Sequence, residues 1–405
     1  MTAIVSEVRL ADCVELLAGF AFKSDRFEGA SGGGVPLVKG ENVGQGRILW
    51  DIARYWPANE APGLDKFRLQ AGDVVLAMDR PWVPAGLKWA VIREQDPAAL
   101  LVQRCARLRT RTSQLRQDFL RYVIGGPGFE DYIRPITTGV NVPHISGAQI
   151  LAYSFWLPPV EEQRRIAGIL SAYDDLIENC ERRIRVLDEM ARSLYREWFV
   201  DFRFPGARGS GMPKAWKSVT AASLVREFRR GVPKGTMRAC LPYVGLEHLP
   251  RRSLALNDWI ETAELGSNKL RFEPGEVLFG KIRPYFHKVA VAPFVGVCSA
   301  DTFVISSIRP EHRAFVTCLV SSDAFVAHAS ATANGAKMPR ANWEVLMEFP
   351  VAVPPDEIVA KFASIVAPCI EQQMQLVRQA KNLRATRDLL LPRLLSGQLS
   401  VDDAA

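Results

Sequence analysis

The most regular pattern of apolar positions in the chain runs from Ile166 to Trp198. Apolar side chains recur there at alternating intervals of four and three residues, the heptad spacing that places them on one seam of a helix. A Pro-Pro pair at 158–159 favours extended backbone before the pattern, and glutamates at 161–162 suit a helix N-terminus. The pattern predicts a helix over residues 161–199, roughly 58 Å long at about 1.5 Å per residue. A helix of that length needs a partner.

The chain supplies the partner by repeating itself. A shift of 196 positions aligns the Pro-Pro pair with Pro354-Pro355 and leaves eight of ten heptad positions apolar. The exceptions are Gln373 and Arg387, polar seam residues that can fix register, and Pro368 predicts a kink or break in the second helix. We expect the two helices to pack antiparallel. Seam residues predicted to join them are Ile166, Leu170, Ile177, Ile184, Leu187, Leu194, Leu376, Leu383 and Leu390.

The repeat extends upstream and sets the domain organisation. AGDVVLAMDRP (71–81) aligns with PGEVLFGKIRP (274–284), and VPLVKGENV (35–43) with LPYVGLEHL (241–249). Short runs such as VPLV, DVVLAM and LKWAVI predict strands, whereas DCVELLAG (12–19) and SQLRQDFLRYVI (113–124) predict helices. The expected fold class is α+β, with two tandem mixed α/β domains joined by two long antiparallel helices in a pseudo-two-fold coiled coil. The predicted boundaries are 1–157, 158–205, 206–353 and 354–405.

Composition and motifs argue against a membrane protein and against independent catalysis. The 405 residues contain no apolar run of the ~18 residues that a membrane span needs, and the seven scattered cysteines indicate reduced thiols in a cytoplasmic protein. No phosphate-binding P-loop motif is present, and the five histidines lack metal-ligand spacing, so no metal site is predicted. The net charge of +7 permits a polyanionic partner.

Basic, aromatic and amide residues recur at equivalent places in both copies, as a DNA-gripping surface requires. A solvated surface turn is the alternative for each one, and the ERRIR run (181–185) is interpreted as the wet face of the long helix. In the first domain the candidates are Lys23, Lys39, Asn42, Arg80, Trp82, Lys88, Thr137, Thr138, Asn141 and His144. In the second domain they are Arg229, Arg230, Lys234, Lys281, Arg283, Tyr285, His287, Lys288, Asn334, Lys337 and Arg340.

Several segments in this order resemble the specificity subunits of type I restriction–modification systems. They are LPPVEEQRRIAGILSAYDDLIE (157–178), LLLPRLLSGQLSV (389–401), LAGFAFKS (17–24), the two GDVVLAMDRP-like segments and the TTGVNVPHIS loop (137–146). The resemblance covers essentially the whole chain. The second helix departs from it at VPPDEIVAKF (353–362), where the Glu-Gln of the first copy is absent.

The resemblance implies two target-recognition domains, each reading one half of a bipartite, asymmetric site in double-stranded DNA, with the helix pair as a ruler. It also implies two methyltransferase subunits and restriction subunits as partners. S-adenosylmethionine, ATP and Mg²⁺ would be bound by those partners and not by this chain. A coiled-coil scaffold that binds proteins without reading DNA is the alternative, and salt-sensitive DNA binding would distinguish the two.

Overall fold

The chain forms two compact units that share both long helices. The structure, a computed structural model, describes residues 6–29, 32–83, 86–137, 143–207, 211–236, 240–262 and 266–401. One unit comprises Met1–Asp174 with Ala385–Ala405, and the other is the continuous segment Asp175–Arg384. The division into four segments made from the sequence is a different partition, and it stays a prediction.

The first unit is a mixture of short strands and helices. Its strands are β1 Ser6–Arg9, β2 Val14–Ala18, β3 Val35–Val38, β4 Gln45–Gly46, β5 Tyr55–Trp56, β6 Val74–Ala77, β7 Trp82–Val83, β8 Gly86–Leu87, β9 Trp89–Val91, β10 Leu100–Leu101, β11 Cys105–Thr110 and β12 Ser154–Leu157. Its helices are α1 Leu10–Cys13, α2 Gln117–Gly125, α3 Pro127–Ile136, α4 Gly147–Leu151 and the start of α5 Val160–Tyr195. The strands predicted from VPLV, DVVLAM and LKWAVI are confirmed, and so is the helix near residues 113–124.

The central sheet of the first unit has the strand order β2-β11-β6-β9-β4 among the described residues. Every residue of β6 is buried, as expected for a central strand packed on both faces. The helix predicted over residues 12–19 is wrong beyond Cys13, because Val14–Ala18 is strand β2, antiparallel to β11. Pairing with that buried strand outweighs the helix propensity of the VELLA run, in which Glu, Leu and Ala are good helix formers.

The second unit repeats the general order of the first, with strands followed by three short helices, a last strand and a long helix. Its strands are β13 Lys217–Thr220, β14 Val225–Phe228, β15 Arg230–Val232, β16 Leu241–Val244, β17 Ile260–Thr262, β18 Lys269–Phe272, β19 Val277–Gly280, β20 Val289–Val291, β21 Gly296–Ser299, β22 Thr302–Ser307 and β23 Pro350–Val353. Its helices are α6 Arg313–Val320, α7 Asp323–Ala331, α8 Trp343–Met347 and α9 Asp356–Leu395, the last of which continues into the first unit.

Strand order confirms that the architecture is repeated. The order β14-β22-β19-β20 in the second unit corresponds to β2-β11-β6-β9 in the first. The parallel pair β3–β10 has its equivalent in β16–β21, and the antiparallel pair β1–β12 in β13–β23. The duplicated sequence therefore repeats the same core strand order, whereas the second sheet has three strands in the first unit and five in the second among the described residues.

Within the first unit, the start of α5 packs against the end of α9. Ile166, Leu170 and Leu394 are fully buried in one apolar core. Arg387 donates to Asp174 at 2.8 Å, so this polar seam residue has a partner on the facing helix. Gln163 is also fully buried and joins the beginning of α5 to the segment before α2. Its side-chain oxygen accepts from the Arg116 amide at 2.9 Å, and its nitrogen donates to the Gln114 and Pro158 carbonyls at 2.7 and 2.8 Å.

Within the second unit, the rest of α5 packs against the rest of α9. The buried Gln373 donates to the Ile184 carbonyl at 3.4 Å, and Arg384 donates to Glu181. A helix break at Pro368 is not found, because α9 is continuous from Asp356 to Leu395. Of the predicted seam residues, Ile166, Leu170, Ile177, Ile184 and Leu376 are buried, and Leu187, Leu194, Leu383 and Leu390 pack partly buried against the same cores.

Aromatic side chains dominate the larger core of the second unit. Phe362 of α9 lies 4.8 Å from Phe199 and 5.8 Å from Trp198 between ring centroids. Trp198 and Phe199 belong to a π-helical turn, Arg196–Val200, that follows α5. No single helix among the described residues is long and apolar enough to cross a membrane, although the bent pair Pro310–Val320 and Asp323–Ala331 meets that test jointly.

Candidate nucleic-acid interface

An arginine turn follows the central strand of the first unit, at residues 78–80. Arg80 has a φ of 45°, in the left-handed region that residues other than glycine rarely adopt. Three backbone hydrogen bonds hold the turn: Met78 N–H to the Arg104 carbonyl at 2.8 Å, Ile145 N–H to the Met78 carbonyl at 2.9 Å, and Arg80 N–H to the Pro143 carbonyl at 2.8 Å. These bonds maintain an unfavourable backbone conformation that leaves the Arg80 side chain exposed.

The second unit has an equivalent arginine turn at residues 281–283. Arg283 has a φ of 50°. The same bonds recur: Lys281 N–H to the Asp301 carbonyl at 2.8 Å, Ala341 N–H to the Lys281 carbonyl at 2.9 Å, and Arg283 N–H to the Pro339 carbonyl at 2.7 Å. The same strained turn thus occurs once in each unit. Each turn bonds to the loop that carries further candidate residues, through Pro143 in the first unit and Pro339 in the second.

Lys88 and Lys288 follow the two turns in the sequence, and each binds a backbone carbonyl of its own unit. The Lys88 ammonium donates to the Gly40 carbonyl, and the Lys288 ammonium donates to the Leu246 carbonyl. Burial lowers the pKa of both lysines. Their charge is directed at backbone oxygens, so the contacts indicate a structural role, and the DNA contact predicted for these two lysines stays untested.

Charged side chains surround the first arginine turn. Asp79 accepts from Arg104 at 2.8 Å, and His144 Nδ1 lies 2.5 Å from the other Asp79 oxygen. Arg104 also has a left-handed φ, of 67°, and its side chain is 67% exposed. The sequence reasoning missed Asp79 and Arg104, because their pairing joins residues that lie on different strand ends.

The second turn has its own charged neighbours. Arg340 lies 3.3 Å from Asp301, and its backbone exchanges two 2.9 Å hydrogen bonds with Asn334. Lys281 donates to the Ala300 carbonyl at 3.0 Å and sits 4.5 Å from the Phe303 ring centroid. Burial lowers the pKa of Lys281. Its ammonium therefore contacts the protein itself, whereas the Arg340 side chain remains 58% exposed.

The other candidates of the first unit make local contacts of their own or are exposed. Asn42 is fully buried and holds its own loop, accepting from Lys39 N–H at 2.9 Å and donating to the Leu37 carbonyl at 3.1 Å. Lys23 is exposed, and the Lys39 ammonium pairs with Glu41. Trp82 lies beneath the Arg134 guanidinium, and the Thr137 hydroxyl donates to the Ile133 carbonyl. Thr138 and Asn141 fall outside the described residues.

The other candidates of the second unit divide into paired and exposed side chains. Arg230 donates both guanidinium nitrogens to Glu276, at 2.7 and 2.8 Å, and Arg229 donates to Glu227 at 2.6 Å. Lys234 and Lys337 are exposed, as are the Tyr285 ring, at 55%, and Asn334. Asp73 of the first unit, the sequence counterpart of Glu276, pairs with Arg109 at 2.7 Å, so both carboxylates hold arginines.

His287 lies inside the second unit. Its side chain is 2% exposed, Nε2 lies 2.9 Å from the Ser321 carbonyl and Nδ1 lies 3.5 Å from Asp323. Burial lowers the pKa of His287, with Arg192 and Arg252 acting in the same direction. The ring is therefore buried and not on the surface, and the DNA contact predicted for it stays untested.

We expect His287 to make the stability of the second unit depend on pH. The unfolded histidine titrates near pH 6.5, about the model-peptide value, whereas the folded pKa is lower. The unfolded state therefore binds more protons below that pH, so stability should be complete above about pH 6.5 and fall as the pH drops toward the folded pKa. The urea midpoint of this unit should be lower at pH 5.5 than at pH 7.5.

In a His287→Asn variant the urea midpoint should decrease less between pH 7.5 and 5.5, because asparagine does not titrate. Asparagine also tolerates the left-handed φ of 53° at this position. His248→Asn removes a partly exposed histidine from the same unit and serves as the matched control. An equal decrease in His287→Asn and in the unmodified chain would contradict the assignment.

The described residues hold no group of three or more His, Cys, Asp or Glu side chains arranged to bind a metal ion. Besides the carboxylates of Asp79 and Asp301, the polar groups around the two arginine turns are guanidinium, ammonium, imidazole and amide groups. Such groups bind phosphate oxygens and the edges of bases.

Comparison with known proteins agrees with this chemistry. Residues 5–189 match the type I restriction modification DNA specificity domain. The type I restriction enzyme MjaIX specificity subunit of Methanocaldococcus jannaschii is 25% identical over 303 residues, 71% of this chain and 70% of that protein. The EcoAI specificity subunit of Escherichia coli is 32% identical over 174 residues, 43% of this chain and 28% of that protein.

A solved structure shows the same fold. The S subunit of a type I restriction-modification system from M. genitalium superposes with a TM-score of 0.62, covering 96% of each chain at 15% identity. At that identity the likeness concerns the fold alone.

Proposed function

Since the chain belongs to the specificity subunits of type I restriction–modification systems, we propose that each of its units reads one half of a bipartite, asymmetric DNA site. The duplicated arginine turn is the observation that carries this proposal. Arg80 is exposed and Arg283 is partly exposed, each on a backbone fixed by three hydrogen bonds, and a guanidinium presented from a fixed backbone suits phosphate or guanine recognition. The residues around the two turns differ, so the half-sites should differ. The subunit itself is not the catalyst.

In this proposal the two long helices form an antiparallel coiled coil that acts as a ruler in a pseudo-two-fold molecule. The support comes from contacts inside each unit. The pairs Asp174–Arg387 in the first unit, and Glu181–Arg384 and Ile184–Gln373 in the second, each join a residue of α5 to a residue of α9 in opposite chain order. Half-sites one DNA turn apart are about 34 Å apart on one face, a distance that helices of this length can span.

The proposed partners are modification and restriction subunits, with two methyltransferase subunits in the complex. S-adenosylmethionine, ATP and Mg²⁺ would be bound by those partners. An apolar groove of the second unit supports docking of another protein. Met190 and Leu194 of α5 line it together with Ile365 and Val366 of α9, and the Met190 and Ile365 side chains are 51% and 45% exposed.

A domain exchange tests the reading function. Residues 1–157 are replaced by the corresponding segment of another specificity subunit, and the methylated positions of host DNA carrying the complete system are sequenced. We expect one half of the methylated motif to change and the other half and the spacer to stay. The reciprocal exchange of residues 206–353 is the matched control and should change only the other half. A change in both halves, or in neither, would contradict separate reading by the two units.

A further inference from the structure

Three surface positions around each arginine turn are structurally equivalent but carry different residues. Met78 N–H bonds to the carbonyl of residue 104, as Lys281 N–H does to that of residue 301. Residues 79 and 144 form an isolated antiparallel bridge, and so do residues 282 and 340. The equivalent pairs are Asp79 and Ile282, Arg104 and Asp301, and His144 and Arg340.

In the first unit the acid lies on the turn itself. Asp79 is only 18% exposed and binds Arg104 with one oxygen and His144 with the other, at 2.8 and 2.5 Å. Because both oxygens are engaged, the carboxylate limits the directions that the Arg104 guanidinium can take. Arg104 is 67% exposed, so its remaining donors face solvent, and its backbone carbonyl bonds to Met78 N–H of the same turn.

In the second unit the acid has moved to the neighbouring strand end. Ile282 occupies the turn position and cannot hold a cation. Asp301, at the position equivalent to Arg104, lies 3.3 Å from Arg340 and is 34% exposed. The exposed arginine next to the partly buried Arg283 turn is therefore Arg340, from the loop that follows α7, and not a residue of the strand end that contributes Arg104 in the first unit.

We propose that these three positions determine the base preference of each half-site, with Asp79 and Asp301 as positioning residues. Arg80 and Arg283 make the contact that both units share. Arg104 in the first unit and Arg340 in the second each read a base edge with two acceptors, which in the major groove is guanine. The acid fixes the approach of each reading arginine, and the approach comes from opposite sides of the turn in the two units. This inference rests on the proposed function.

Variants of the two acids test it in the reconstituted complex. The probes are DNA duplexes that carry the methylated motif mapped in host DNA, and duplexes with single base changes in either half. Asp79→Ala should reduce discrimination against changes in the first unit's half-site by about tenfold, a typical value for one base contact, and leave the other half unaffected. Asp301→Ala should do the reverse. Binding to unrelated duplex DNA should not weaken, because each variant removes a negative charge.

Asp65→Ala provides the control, because Asp65 forms an exposed ion pair with Arg68 in the same first unit. It should leave discrimination unchanged. Asp79→Glu, which keeps the carboxylate, should restore discrimination, and a thermal midpoint equal to that of the unmodified complex would exclude misfolding. In one outcome the unmodified complex discriminates against base changes in both halves, and the Asp79→Ala and Asp301→Ala complexes discriminate equally well. That result would refute this inference and leave the proposed reading function standing. If the unmodified complex does not discriminate at all, the proposed function itself fails.

Discussion

Inserting one heptad into each long helix should abolish methylation at the natural site and create a site whose spacer is about three base pairs longer. The insertions follow Asp174 in α5 and Arg384 in α9, where the chain passes from one compact unit to the other. Seven residues lengthen a helix by about 10 Å, which is the rise of about three base pairs. Because a heptad preserves the seam, both cores should keep their packing. Sequencing of methylated host DNA measures the spacer.

The same seven residues inserted after Gly211 provide the control. Gly211 is exposed and lies outside both helices, so this variant should methylate the natural site. An unchanged spacer after the double insertion would refute the ruler, while loss of all methylation with a correctly folded chain would show that the partners cannot follow the longer spacing.

Phe362→Ala should lower the unfolding free energy of the second unit by about 4 kcal/mol. Phe362 is fully buried, and its ring packs edge-on against Phe199 at 4.8 Å, so truncation removes both apolar area and aromatic contacts. Alanine is the best helix former, so the loss cannot come from α9 itself. Urea unfolding of the full chain measures the change.

Ile365→Ala is the matched control, one turn further along the same helix. Ile365 is 45% exposed, so we expect a loss below about 1 kcal/mol. Similar losses for the two variants would mean that the aromatic cluster contributes no more than an ordinary helix position.

The long helices could be predicted from the sequence because a heptad pattern depends only on residue spacing. The prediction gave Ile166 and Leu170 as seam residues, and both are fully buried. The duplication could also be predicted from the sequence. Its alignment pairs Arg80 with Arg283, and the structure gives both residues a left-handed φ. Each of these inferences uses information that is local in the sequence or repeated within it.

Other features could not be predicted because they depend on contacts between distant segments. Strand β2 forms where a helix was expected, since the neighbouring β11 supplies its hydrogen bonds. Lys88 looks like a surface cation in sequence, yet its ammonium binds the carbonyl of Gly40, 48 residues earlier. Lys288 occupies the equivalent position after the second turn. A lysine that recurs at the same strand end in both copies could have indicated a structural contact, because such a repeat suits a structural role as well as DNA binding.

The division of the chain also determines the order in which the molecule can be completed during synthesis. Leu394 and Val401 belong to the core of the first unit and are 0% and 4% exposed. The second unit, Asp175–Arg384, is synthesised before them. At about 5–20 residues per second, the interval from Asp174 to Leu394 is roughly 10 to 45 s. The unit whose translation starts first is thus the last to close, and during that interval its unfinished core is exposed to chaperones and proteases.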